Sequence, residues 1–157
     1  MTQPAVQALQ ACLQAESQAV QRFTALLEAE AEALTERASF DNLPALTERK
    51  NQLAQELSDL AEQRNGILAS LGLPGDHAGT DAAVSQHPVL QSAWQTLQAN
   101  VADARHLNLR NGTLIETHAR HVQHSLDSLR SATGLGNLYD AQGRSHKVGA
   151  GKSIAAG

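Results

Sequence analysis

The chain has little from which to build a disulfide scaffold or an aromatic core. Its 157 residues include one cysteine, Cys12, so no internal disulfide can form. The aromatics are only Phe23, Phe40, Trp94 and Tyr139, so the core must be mostly aliphatic. Strand formers are scarce, whereas Leu, Ala and Gln, all good helix formers, dominate. No uncharged apolar run is long enough to span a bilayer, so membrane insertion is not expected. The opening MTQPAVQALQ has no basic start followed by an apolar block, so it does not read as a signal peptide. A net charge of −4 with no basic stripe argues against a nucleic-acid partner. Together these absences favour the cytoplasm.

What is present is helical periodicity. Val6, Leu13, Val20, Leu27 and Leu34 repeat every seven residues, and Leu9, Glu16, Phe23 and Glu30 form a second track at the 3–4 offset. This predicts a helix over 5–38, on the order of 50 Å long, packed with coiled-coil-like geometry. The two glutamates make that seam one-sided or end it at Phe23. After a break at 38–41, Asp41 is a plausible N-cap and Pro44 falls in the first turn of a second helix. Leu46, Leu53, Leu57, Leu60, Ile67 and Leu71 continue the pattern. Lys50 and Arg64 share that track, with stems covering the seam and charges reaching water. Gly72 and Pro74-Gly75 stop the helix.

Residues 72–87 read as a loop, with at most one short turn at 81–84. A third helix starts near Pro88 along Leu90, Trp94, Leu97, Val101, Ala104, Asn108, Asn111, Ile115, His118, Val122, Ser125 and Leu129, and ends at Gly134. The expected fold is all-α: an elongated antiparallel bundle of three long helices over 1–134, with room for closure by homodimerisation. Residues 135–157 are expected to form a flexible C-terminal partner-binding segment and tail; HKVGAGKSIAAG within it is small, Gly-rich and without periodicity.

Asn108, Asn111 and His118 stand where a core wants aliphatics. They fit either a polar layer that fixes register or a contact with a partner helix. Gly112 weakens the helix there, a weakness more easily accommodated if something packs closely against it. The tail's GAGKS lacks a phosphate loop's first glycine, having His146 in its place. His118, His121 and His124 step by three, so they cannot converge on one metal from one helix. No nucleophile–base arrangement or cofactor loop appears. Neither a cofactor nor a metal is expected, and an enzyme is not indicated.

A binding protein remains. Leu126, Leu129, Leu135 and Leu138 carry apolar character past Gly134, and Tyr139 adds a large surface with a polar tip. These residues either receive a partner or fold back as a terminal clasp. Several stretches in combination resemble the FlgN-like family of flagellar export chaperones: the leucine-rich first helix, Leu46 through Leu71-Gly72, Trp94 and Leu97, Asn108-Leu-Arg-Asn111-Gly112-Thr-Leu114-Ile115, and Leu138-Tyr139-Asp140-x-x-Gly143. The Asn-x-x-Asn-Gly turn followed by Tyr-Asp-x-x-Gly is the more specific part.

The resemblance implies a cytoplasmic, non-catalytic chaperone in type III flagellar export. It would bind the terminal helices of hook-associated proteins, prevent premature association and deliver them to the export apparatus. The partner-contact candidates are Asn108, Asn111, Leu126, Leu129, Leu135, Leu138, Tyr139, Asp140 and Gly143; carried over by position from the resemblance, the end of the third helix and residues 135–143 would engage the client, with Tyr139 in the export-gate segment. The alternative that heptads alone allow is a structural coiled-coil adaptor with no export client.

Overall fold

The structure, a computed structural model, describes residues 2–35 and 40–133. The described chain is all-α: α1 (Thr2–Thr35), α2 (Leu43–Ser70), α3 (His77–Gln86) and α4 (Gln91–Thr133), with short 3-10 turns at Phe40–Asn42 and Pro88–Leu90. It divides into two compact units, Met1–Leu114 and Ile115–Gly157, with the boundary inside α4.

The core of the first unit is aliphatic around one indole. From α1 come Val6, Leu9, Leu13, Val20 and Leu27; from α2, Leu68; from α3, Ala83. Leu90 joins them from the turn before α4, and α4 adds Trp94, Leu97 and Ala104. The heptad track of α1 is therefore its buried face. Three long helices meet here, and their cross-links give the directions. Arg64 Nη1 donates to Glu16 Oε2 at 2.7 Å, and Lys50 Nζ donates to Glu30 Oε1 at 3.4 Å. Glu30 lies two heptads after Glu16 while Lys50 lies two heptads before Arg64, so α1 and α2 run in opposite directions. Asn100 Nδ2 donates to the Ser17 hydroxyl at 2.8 Å and Asn111 Nδ2 to the Leu27 carbonyl at 2.7 Å, so α4 runs the same way as α1.

Three expectations need correction. Asp41 lies within the 3-10 turn, and α2 is preceded by Asn42, whose side chain makes no capping hydrogen bond. Pro44 does occupy the first turn of α2, and Gly72 adopts φ 74° at its end, the left-handed backbone that glycine tolerates.

Residues 77–86 are a helix, not a loop. The Asp76 carboxylate accepts the Gly79 N–H at 2.7 Å as its N-cap. The segment carries too few apolar residues for a periodic signal, and the helix is held by tertiary contacts. Ala83 enters the core, Trp94 Nε1 donates to Asp81 Oδ1 at 2.7 Å, and the His77 ring stands 4.9 Å from the Trp94 ring. At Gly79 a Cβ would overlap the Pro74 carbonyl. Gly79→Ala should therefore cost about 1–3 kcal/mol in chemical denaturation, the range for overpacking.

Thirdly, Arg64 and Lys50 do not send their charges into bulk water. Their side chains are 17% and 25% exposed, and each faces a glutamate that is itself buried. The cations also lie over aromatic faces, Arg64 near Trp94 at 5.9 Å and Lys50 near Phe23 at 6.0 Å from the ring centres. Glu16 and Glu30 thus belong to the seam instead of ending it. Cys12 is buried beside Glu16; desolvation first, then that carboxylate, pushes its thiol up to about 11.

Gly112 has open space where a Cβ would stand, so no close packing accounts for it. Gly112→Ala should stabilise the helix by up to about 1 kcal/mol, measurable as a shift in the denaturation midpoint.

Candidate functional site

The described part of the second unit is the remainder of α4, Ile115–Thr133, where every residue with a described side chain is exposed except the half-buried His118. Within it, Ile115 (46%), Val122 (42%), Leu126 (43%) and Leu129 (60%) are large apolar residues open to solvent. With Ala119 they follow alternating steps of four and three, which places all five on one side of a helix.

Earlier in α4, Trp94, Leu97, Ala104 and Asn111 are buried. The change from buried to exposed falls between Asn111 and Ile115. Near that level, Leu114 and Arg110 line a shallow pocket with Glu28, Ala31, Glu32 and Thr35 of the last turns of α1. Apolar residues of α4 thus serve the interior in one stretch and face water in the next.

The residues assigned to partner contact separate accordingly. Leu126 and Leu129 lie on the exposed stripe. Asn108 is exposed about two turns before it. Asn111 is fully buried and belongs to the fold's own packing: its Nδ2 donates to the Leu27 carbonyl and to Glu30 Oε1, at 2.7 and 3.0 Å. Its Oδ1 has no hydrogen-bond partner among the described residues. The polar seam is thus an Asn111–Glu30–Lys50 group that ties α4, α1 and α2 into one register, only partly satisfied at the asparagine. Leu135, Leu138, Tyr139, Asp140 and Gly143 lie outside the described residues. Ile115 and Val122 went unassigned although they stand on the periodic track; the spacing that marked Leu129 marks them equally.

Elsewhere in the first unit, a cleft of about 530 Å³ is lined by Glu16, Arg64, His77, Trp94, Leu97 and Arg105, among others. Its anion and its aromatic already engage Arg64. Among the described residues no group of three or more His, Cys, Asp or Glu could hold a metal ion, and no helix is long and apolar enough to cross a membrane.

The described residues are all-α, with buried polar groups tying the helices in register and an exposed apolar stripe on the last of them. Comparison with known proteins places it more closely. The profile of the family described as "FlgN protein" matches residues 1–147. The "Flagella synthesis protein FlgN" of Proteus mirabilis is 28% identical over 107 residues, covering 63% of this chain and 73% of that protein. No solved structure matches the chain. The chain belongs to the FlgN family, a helical, chaperone-like family of flagellum biogenesis.

Proposed function

We propose that this chain is a cytoplasmic type III flagellar export chaperone. It binds the terminal helices of hook-associated proteins, keeps them from associating early and passes them to the export apparatus. The observation that carries this reading is the exposed stripe Ile115–Val122–Leu126–Leu129 on a chain of the FlgN family. A client's amphipathic helix would lay its own apolar face along the stripe, in the helix-against-groove mode. Release at the export gate requires modest affinity, which suits a stripe of four large aliphatic residues better than a deep pocket. The coiled-coil-like packing read from the heptads of the first unit would extend to the client complex. Leu135, Leu138 and Tyr139 would lengthen the contact, with Tyr139 in the segment that docks the gate.

The test is co-purification and titration with C-terminal fragments of hook-associated proteins. Val122→Asp with Leu126→Asp should weaken binding at least about thirtyfold, the equivalent of about 2 kcal/mol, because each places a charge where an apolar contact forms. Thermal stability should hardly change, since both positions are exposed. Undiminished client binding by this variant would remove the stripe from the mechanism. Failure of the unaltered chain to bind any such fragment would remove the export-chaperone reading.

A further inference from the structure

We infer that the cleft between α2 and α4 in the first unit receives an acidic amphipathic helix of a partner protein, at a site separate from the exposed stripe of residues 115–129. The cleft holds about 530 Å³; α1 contributes Glu16 and Val20 to it, α2 Leu57 and Arg64, and α4 Trp94, Val101 and Arg105 among others. Arg64 ties α2 to α1 and Asn111 ties α4 to α1, so the cleft lies where a fourth long helix would stand beside those three. Leu57 and Val101 pack against the core and yet are only partly buried. They leave apolar surface that an apolar side chain of the occupant can cover.

Charge selects the occupant. Among the described residues, Glu16 is the sole carboxylate lining the cleft, and it already accepts from Arg64 Nη1 at 2.7 Å. Arg105 is exposed and meets no carboxylate among the described residues. The buried Nε of Arg64 has no hydrogen-bond partner among them either. The lining therefore carries an excess of positive charge on a chain whose net charge is −4. A carboxylate that reaches Arg105 is its complement, whereas a basic helix would meet like charges. Gly112 points the same way independently. Val101, Arg105, Asn108 and Gly112 follow steps of four, three and four, which sets them on one side of α4. Asn108 there is exposed, and Gly112 has open space where a Cβ would stand. The chain's own packing has no use for that glycine, but a second helix lying along this side of α4 does, because a missing side chain lets another backbone approach closely. From Trp94 to Gly112 the helix rises about 27 Å, room for about 18 residues of an accompanying helix.

Trp94 is the chain's single tryptophan, so its fluorescence reports on the cleft. The probe is a synthetic amphipathic peptide of about 18 residues, leucine on one face and glutamate along its edges, titrated into the full chain. Its counterpart with lysine in place of every glutamate is the charge control. The glutamate probe should change Trp94 emission saturably, with a dissociation constant on the order of 10–100 µM, and the lysine probe should bind at least about tenfold more weakly. Arg105→Glu should weaken the glutamate probe about five- to tenfold and strengthen the lysine probe, a reversal that damage to the fold would not produce. Gly112→Leu should weaken the glutamate probe about threefold or more, although it removes a glycine that weakens the helix. The stripe variant Val122→Asp with Leu126→Asp should leave probe binding within about twofold of the parent. A Trp94 signal that does not respond to the glutamate probe, or a response indifferent to Arg105→Glu, overturns the inference. Loss of the probe in the stripe variant also overturns it, because the peptide then sits on the stripe. So does dodecanoate saturating Trp94 with the same Arg105 dependence while the peptide does not bind, because the cleft then takes a small anionic amphiphile. Client binding without probe binding would sink this inference and spare the chaperone reading, whereas probe binding with no client binding would do the reverse.

Discussion

Arg64→Leu is expected to destabilise the fold by about 3–5 kcal/mol, the range for removing one member of a buried ion pair. Glu16 is 5% exposed, and its shortest bond is to Arg64 Nη1, at 2.7 Å. Desolvation already pushes the Glu16 carboxyl above its ordinary value, and the Arg64 guanidinium and the Cys12 thiol pull it back. Without Arg64 the carboxylate stays in the seam with its desolvation uncompensated. Replacing both partners, Glu16→Leu with Arg64→Leu, should return stability to near that of the parent or above it, because two leucines at facing heptad positions need no solvation. Urea unfolding of the parent, the two single variants and the double variant measures the coupling.

The same pair sets a pH dependence. A carboxyl whose pKa is raised in the folded chain binds its proton earlier on acidification than the unfolded chain does. Its contribution favours the native state fully below the unfolded value, near 4.5, and is lost as pH rises through the folded value. Removing Arg64 raises the folded value further. The deficit of Arg64→Leu should therefore shrink between pH 7 and pH 5. A deficit that stayed constant, or grew, would show that the carboxylate is not what the mutation exposes.

Leu27→Ala should cost about 2–5 kcal/mol. Leu27 is fully buried on the α1 heptad track. Its carbonyl, which accepts the Asn111 amide, survives the change, so the loss reports the cavity and not the hydrogen bond. Leu109→Ala is the control: that leucine is 68% exposed and its truncation should stay within about 0.5 kcal/mol. Thermal melts of the two variants side by side decide whether the heptad track is the core.

How much of this was legible depended on the range of the interaction. The long helices follow from local periodicity, and the end of α2 at Gly72 from a backbone angle that glycine accommodates cheaply. α3 was missed because its stability comes from Trp94, Asp81 and the Asp76 cap; only the Asp76-x-x-Gly79 start carried a local sign of it. Lys50 and Arg64 were placed on the seam correctly and given the wrong surroundings. Their glutamate partners lie 20 and 48 residues away, and nothing local reports such a match. Asn108 and Asn111 looked alike as polar residues on one track, yet one is exposed and the other is bonded to α1.

By itself the sequence determined the helical class, the long apolar tracks and the family resemblance, since each is carried by residue type and spacing along the chain. The tertiary structure decided where the apolar residues of α4 pass from interior to surface. Burial depends on whether another helix lies alongside: Asn111 is held against α1, whereas from Ile115 onward the large aliphatic residues of α4 meet water.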